Sequence, residues 1–314
     1  MTERGHALPD EVRAKIDAFL RPGRNVGFID RLPLPQLVDD YCEKFVVLDG
    51  GGQPAAFIAV SPSAHPESVR QAAAVADAIR QTLGDPLKQA VLASWFVGEF
   101  DGRSYSITPY CKPVSSGRWS GRLQRLWLTP AILGWLERLT RATMKNIADI
   151  DGSVRQPLAC LADHAKSDDA TRFAAELALE ELDKGLWQPR SVVAHNDLWW
   201  GNFVWRPGGD RAHVPFYVID WAGARADGMP IYDLVRVASS LRIGANRFRR
   251  TLIDHCAILE CQPAQSRNYL CVTFGRLLSN LGEWPEEQFV VTSRSCLRSI
   301  QEVLGKQAGP RPAR

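Results

Sequence analysis

Residues 195–203 read His195-Asn196-Asp197-Leu198-Trp199-Trp200-Gly201-Asn202-Phe203, the most informative segment of this 314-residue chain. The apolar run 191–194 precedes it and predicts a short buried strand. A second predicted strand, 215–219, leads directly to another carboxylate, Asp220. We therefore expect Asp197, Asn202 and Asp220 to lie at the same end of one small sheet.

These three side chains suit phosphoryl transfer from a nucleotide. That reaction uses one carboxylate to orient the attacking hydroxyl, and an amide and a second carboxylate to hold magnesium. The spacing His-x-Asp-x4-Asn, followed by an Asp after three apolar residues, is a specific pattern. It predicts that Asp197 is catalytic and that Asn202 and Asp220 bind Mg²⁺. Taken singly, Asp197 could be a turn residue and Asp220 a strand-end cap.

Further motifs extend this pattern: Ile219-Asp220-Trp221 and Gly228-Met229-Pro230-Ile231-Tyr232-Asp233-Leu234. With them, the chain resembles the aminoglycoside phosphotransferase and choline kinase family, most sharply over 191–236. The residue after the His is usually Gly in that family and is Asn196 here. The resemblance implies an α+β, protein-kinase-like fold of two lobes, with a small β-rich N-lobe and a larger, mostly helical C-lobe.

The resemblance also implies roles for individual residues. His195 is expected to support the loop structurally, and Asp233 to accept hydrogen bonds from the loop. A plain helix N-cap role for Asp233 is equally open and is compatible with the first. Pro109-Tyr110-Cys111 would be the hinge whose backbone binds the adenine of ATP, the co-substrate that Mg²⁺ accompanies. Trp199 and Trp200 either line the acceptor site or pack in the core.

Residues 1–112 are expected to form the N-lobe. The pattern predicts a solvent-facing helix over 10–20, one helix between Pro66 and Gly84, and turns at Asp49 and Asp101. Five strands are predicted, at 25–29, 44–48, 55–60, 91–97 and 104–110.

Residues 113–314 are expected to form the C-lobe, which carries the catalytic loop and the metal site. Thr129-Pro130 is typical of a cap and first turn. A second helix is predicted over 168–184 and closed by Gly185. Helices resume over 231–241 and 246–305, and a polar tail follows.

The third predicted strand lacks a lysine that the resemblance implies. Kinase-like folds carry there a Lys that contacts nucleotide phosphates and pairs with a Glu on the next helix. Ala59 takes the Lys position, and Gln71 or Ala72 stands near the Glu position. Either Lys44 or Arg70 supplies the charge instead, or the pair is lost. Loss of the pair leaves open a non-catalytic, pseudokinase-like binding or regulatory module.

Charge and composition limit the classes of ligand that the chain is expected to bind. Residues 234–314 contain twelve Lys plus Arg against six Asp plus Glu, most tightly clustered at Arg242, Arg247, Arg249 and Arg250. Such a face is often only solvated surface. If it lines the site, it favours an anionic or neutral acceptor, such as a phosphorylated sugar or a glycan precursor, over a polycationic one. A net charge of +3 without interleaved aromatic residues disfavours nucleic acid.

The remaining sequence features are those of a cytoplasmic protein. No uncharged apolar run approaches the length of a membrane span, and the N-terminus lacks an apolar signal core. The seven cysteines include no Cys-x-x-Cys, so we expect reduced thiols and no zinc site. Protein phosphorylation is disfavoured, because Asp-Phe-Gly and Ala-Pro-Glu are absent from the sequence. The sequence thus predicts an ATP- and Mg²⁺-dependent kinase of a small-molecule hydroxyl.

Overall fold

The computed structural model describes residues 10–20, 26–32, 42–114, 117, 119–165, 167–206, 214–278 and 286–305. The helices are α1 (Asp10–Phe19), α2 (Ser68–Thr82), α3 (Ser120–Thr143), α4 (Gln156–Asp163), α5 (Asp169–Asp183), α6 (Tyr232–Ser240), α7 (Ala245–Ile258), α8 (Ser266–Leu278) and α9 (Glu286–Gly305). The strands are β1 (Val26–Arg31), β2 (Glu43–Asp49), β3 (Pro54–Val60), β4 (Phe96–Phe100), β5 (Arg103–Pro109), β6 (Lys145–Asn146), β7 (Arg190–Ala194), β8 (Phe203–Trp205), β9 (Phe216–Val218) and β10 (Arg225–Gly228).

The chain divides into two compact units. The first, called the N-unit, comprises Met1–Val114 and Gly201–Gly223, and the second, the C-unit, comprises Ser115–Trp200 and Ala224–Arg314. The first break lies close to the expected boundary between 112 and 113. The segment Gly201–Gly223, however, belongs to the N-unit rather than to a single C-terminal lobe, so the predicted metal residues lie in the N-unit.

The sheet of the N-unit is antiparallel, and in the described residues it has the order β1-β2-β3-β5-β4. Helix α2 follows β3, as predicted. The fourth strand starts later than expected, because 87–90 form a short 3₁₀ helix and Val91 makes only an isolated bridge to Val218. Both turns form as predicted: the Asp49 carboxylate accepts the N–H groups of Gly51 and Gln53 at 3.0 and 2.9 Å.

The N-unit core lies between α1 and one face of the sheet. Ala56, Ile58 and Val60 of β3 point into it, and α1 adds Val12 and Ile16. Most of the other residues of α1 are exposed, so the helix is solvent-facing on its remaining sides, as predicted. Its two apolar residues stand four positions apart on one helical face, and that face is buried. Alternate residues of β3 point to the opposite face of the sheet.

The C-unit is mostly helical, and its longest helix begins earlier than predicted. Helix α3 starts at Ser120, so Thr129-Pro130 lies inside it instead of capping it. Because Pro130 has no backbone N–H, the carbonyl four residues before it lacks its helical donor. The Thr129 hydroxyl donates to the Arg125 carbonyl at 2.6 Å, and the buried Ile132 and Trp135 hold the helix in the core. Tertiary packing here outweighs the local stop signal.

Other C-unit elements match the prediction. Asp168 caps α5 by accepting the Thr171 N–H at 2.7 Å, and Gly185 follows the helix with φ of +66°. Within the described residues no helix has the length and apolar character that crossing a membrane requires. The polar tail after 305 lies outside the described residues.

Gly275 of α8 permits close packing against α4, because an added Cβ would overlap the Pro157 carbonyl oxygen. We expect Gly275→Ala to lower the free energy of unfolding by about 1–3 kcal/mol, the usual cost of overpacking a core. Gly134→Ala in α3 is the matched control, since its Cβ would lie 3.6 Å from the Arg138 guanidinium. That change should be neutral or stabilising by up to about 1 kcal/mol. Urea denaturation followed by circular dichroism measures both, and equal stability of the two variants would contradict this packing.

Candidate active site

The loop 195–203 leaves strand β7, which lies in the sheet β10-β7-β6. Asp220 follows β9, which pairs with β8 in a different sheet. The prediction that one small sheet presents all three polar residues is therefore wrong. Sheet membership depends on which strands pair with one another, which a local apolar pattern does not encode. Asp197 belongs to the C-unit, whereas Asn202 and Asp220 belong to the N-unit.

The buried carboxylate of Asp233 holds the start of the loop. It accepts the N–H of His195 at 2.6 Å and that of Asn196 at 3.0 Å. Burial raises the pKa of Asp233, and the facing His195 and the loop amides act in the opposite direction. Asp233 is not the N-cap, since α6 is capped at Ile231, whose φ is +81°. The alternative role of helix N-cap is therefore wrong.

His195 is buried and supports the next residues of the loop. Its Nδ1 lies 3.3 Å from the backbone N–H of Asp197, which donates to it. Asn196, between them, has φ of +65°. Asn tolerates this left-handed conformation better than most side chains, which accounts for Asn at a position where the resemblance implies Gly.

Asp197 has a charged partner that the sequence reasoning missed. The Arg236 guanidinium lies 3.2 Å from Asp197 Oδ1, and both side chains are partly exposed. Arg236 stands three positions after Asp233, and residues at this spacing share a helix face. That spacing is the signal that could have found it.

Asn202 and Asp220 lie at one end of the β8–β9 pair. Phe203 is opposite Val218, and the Ile219 N–H donates to the Asn202 carbonyl at 3.0 Å. Asn202 is buried, whereas Asp220 is exposed and has φ of +65°. An amide and a carboxylate are hard oxygen donors of the type that Mg²⁺ prefers. The two residues therefore fit the metal that the sequence predicts.

The predicted hinge is fixed on two sides. The Tyr110 N–H donates to Ala55 of β3 at 3.1 Å, and the Trp205 N–H of β8 donates to Lys112 at 2.9 Å. Pro109 ends β5. Cys111 is buried, and loss of solvation raises the pKa of its thiol to about 11. Its backbone N–H has no hydrogen-bond partner among the described residues.

The position of the missing lysine has a cation beside it. Lys44 of β2 is the direct cross-strand partner of Ala59 in β3, so the two share the sheet face that points away from the core. Arg70, the other candidate, pairs with Glu67 and Glu99 at 3.0 and 2.9 Å. The geometry therefore favours Lys44 over Arg70 as a substitute.

The Cys42 thiol lies within electrostatic range of both Lys44 and Asp220. Burial raises the pKa of Cys42, the Lys44 charge acts to lower it, and Asp220 acts to raise it.

The two tryptophans of the loop differ in their surroundings. Trp199 is 43% exposed. Trp200 is partly buried, and its N–H donates to the Ser240 hydroxyl at 3.0 Å. Neither is fully buried in the core.

Comparisons with known proteins agree with this arrangement. Residues 43–257 match the family model described as "Phosphotransferase enzyme family" (APH). The match covers more than half of the chain, which therefore belongs to this family. The prediction of a phosphotransferase is confirmed at that level. A search of curated proteins found no significant match.

Solved structures confirm the protein-kinase-like α+β fold. A thermostable mutant of aminoglycoside phosphotransferase APH(4)-Ia, in a ternary complex with ADP and hygromycin B, is 16% identical, with a TM-score of 0.53 over 90% of this chain and 96% of that one. The choline kinase LicA from Streptococcus pneumoniae is 11% identical, with a TM-score of 0.54 over 93% and 98%. Aminoglycoside 2'-phosphotransferase-IIIa, in its GDP complex, is 13% identical, with a TM-score of 0.51 over 88% and 93%.

The role of Asp233 as the acceptor for the loop amides is testable. Asp233→Ala leaves two backbone amides without their acceptor, which should cost about 1–3 kcal/mol for each amide that stays buried. Asp254→Ala, on the exposed side of α7, is the control and should change stability by no more than about 0.5 kcal/mol. Urea denaturation compares the two variants, and an Asp233→Ala protein as stable as the control would refute the role.

Proposed function

We propose that the chain is a kinase that transfers the γ-phosphoryl group of ATP to a hydroxyl of a small molecule such as a sugar or glycan precursor. The observation that carries the proposal is the Asp197 loop, anchored by Asp233 in a chain that belongs to a phosphotransferase family. Asn202 and Asp220, two oxygen donors at one end of the β8–β9 pair, support a Mg²⁺ site.

In this proposal Asp197 accepts a hydrogen bond from the acceptor hydroxyl. Phosphoryl transfer passes through a loose transition state, so the carboxylate contributes mainly by positioning the hydroxyl. The ion pair with Arg236 orients the Asp197 carboxylate before the acceptor binds. The hydrogen bond from the Asp197 N–H to His195 Nδ1 holds the backbone there. Asn202 and Asp220 would hold Mg²⁺. When bound, the metal neutralises charge on the β- and γ-phosphates.

The hinge supports nucleotide binding. The Cys111 N–H and the neighbouring carbonyl groups are backbone groups of the kind that bind adenine, and the hydrogen bonds at Ala55 and Lys112 keep this segment extended. Two of the similar structures contain an adenine nucleotide: ADP in APH(4)-Ia and AMP in a second structure of LicA. The free state of all seven cysteines supports a reducing, cytoplasmic setting.

We further propose that Lys44 replaces the missing strand lysine. An ammonium on β2 directly opposite Ala59 lies on the same face as the lost one, so it can reach the phosphates from the neighbouring strand. A pseudokinase-like binding module is the second candidate, and Ala59 is the observation that favours it. The retention of Asp197, Asn202 and Asp220 favours the enzyme.

The catalytic role of Asp197 and the metal-binding role of Asp220 predict different effects when each residue is replaced. Asp197→Asn should leave Mg·ATP binding nearly unchanged and lower turnover by ~10²–10⁴, the usual contribution of a positioned acid–base group. Asp220→Asn should abolish the Mg²⁺-dependent thermal stabilisation by ATP, because Asn202 alone offers too few ligands. Thermal shift with and without Mg²⁺, and ADP release with a panel of sugars and amino alcohols, measure the two effects.

Asp254→Asn is the control for both measurements. Full turnover in Asp197→Asn would remove this carboxylate from the mechanism. If Mg·ATP stabilises Asp220→Asn as much as it stabilises the unsubstituted protein, Asp220 does not bind the metal. Nucleotide binding that ignores Mg²⁺ would support the binding module instead.

The Lys44 assignment predicts a rescue across the strand pair. Lys44→Ala should weaken Mg·ATP binding by roughly one to two decades, since a charge-assisted hydrogen bond contributes about 1.5–3 kcal/mol. The double variant Lys44→Ala/Ala59→Lys should recover most of that affinity. Lys88→Ala, which removes an exposed lysine paired with Asp85, is the control. An unchanged dissociation constant in Lys44→Ala, measured by calorimetry, would contradict the assignment.

A further inference from the structure

A cavity of about 710 Å³ lies within the C-unit, between the first turns of α3 and the connection from α6 to α7. Four arginines line it: Arg122 and Arg125 from α3, Arg242 from the connection, and Arg247 from α7. Among the described residues that line it, none is acidic. Only two members of the basic cluster seen in the sequence contribute, since Arg249 and Arg250 are not part of the lining.

The charges in this cavity are not compensated. Arg122, Arg242 and Arg247 form no ion pair with any carboxylate in the described part of the chain. Other arginines of the C-unit do form such pairs, as Arg141 does with Glu137 at 3.1 Å. Like charges around one concave surface repel one another and attract an anion. The guanidinium fork also matches the oxygens of a phosphate group.

The start of helix α7 adds a second source of positive potential. Gly244, which lines the cavity, is the N-cap residue of this 14-residue helix, and no side chain of the described residues caps it. The first amides of a helix have no intrahelical acceptor, and the helix dipole favours negative charge there. A helix N-terminus beside arginines is a common arrangement for binding phosphate.

The cavity is connected to the Asp197 loop. The Arg125 guanidinium lies 5.9 Å over the ring of Trp200, and its Nε donates to the Gly121 carbonyl at 3.2 Å. Trp200, three positions after Asp197, donates its backbone N–H to Ser240 at the end of α6. A ligand in the cavity therefore contacts residues that pack against the catalytic loop.

We infer that this cavity binds the acceptor through a phosphomonoester, so that the substrate is a phosphorylated polyol or sugar with a free hydroxyl. The inference rests on the proposed kinase function and adds the charge class of the substrate. The volume suits a small molecule. Trp119 and Leu126 offer apolar surface to the uncharged part of the ligand. The lining disfavours a cationic acceptor, because its described residues present four arginines and no carboxylate.

The test is calorimetric titration of the full chain, saturated with Mg²⁺ and a non-hydrolysable ATP analogue. Glucose 6-phosphate, inorganic phosphate and glucose are the probes. We expect glucose 6-phosphate to bind at least about tenfold more tightly than glucose, and added salt to weaken only the phosphate-bearing probes. Arg122→Gln/Arg247→Gln should remove this preference, whereas Arg122→Lys/Arg247→Lys should keep part of it. Arg250→Gln removes one charge from the same helix outside the cavity and should change nothing.

Equal affinity for glucose and glucose 6-phosphate would overturn the inference, as would a preference that survives in Arg122→Gln/Arg247→Gln. ADP release that favours choline or an aminoglycoside over phosphate-bearing sugars would also overturn it while leaving the kinase function intact. Arginine-dependent phosphate binding without ADP release on any acceptor would refute the kinase function and the acceptor role, and would leave only an anion-binding site.

Discussion

The candidate active site depends on the hydrogen bonds that the buried Asp233 carboxylate accepts from the loop. This carboxylate would be costly to bury without donors, and the amides of His195 and Asn196 supply them. The strand before the loop is fixed just as closely, because a side chain at Gly228 of β10 would overlap Ala194 of β7. The loop that carries Asp197 is therefore fixed before any ligand binds, as positional catalysis requires.

Local patterns predicted most of the secondary structure and singled out the loop that carries Asp197. The turn at Asp49, the cap at Asp168 and the left-handed Gly185 each arise from chemistry within a few residues, which a sequence displays directly. The spacing from His195 to Asn202 likewise fixes which residues share one loop. The family match over residues 43–257 includes that loop.

The features that the sequence did not reveal depend on contacts between distant segments. Pro130 is a local stop signal, but burial of Ile132 and Trp135 keeps α3 continuous through it. Strands β7 and β9 lie in different sheets because they pair with different strands. The apolar pattern of a buried strand is the same whichever strand it pairs with. The Arg236–Asp197 pair and the Arg122–Arg247 cavity likewise bring together residues far apart in the chain.

Two groups of positively charged side chains bear on the proposed function. Lys44 stands across from Ala59 on the neighbouring strand, and arginines line the cavity of the C-unit where a polycationic acceptor would need carboxylates. Both observations fit an enzyme adapted to phosphate groups rather than a decayed one. Such an enzyme must transfer a phosphoryl group.

The most direct test is therefore to follow the γ-phosphoryl group itself. The protein is incubated with Mg²⁺, γ-labelled ATP and glucose 6-phosphate or another phosphate-bearing polyol, and the products are resolved by phosphorus NMR and mass spectrometry. The account predicts one new phosphomonoester on the acceptor for each ADP formed, with no transfer when Mg²⁺ is removed. Label that appears only as inorganic phosphate, or ATP that stays intact with every acceptor, would contradict it.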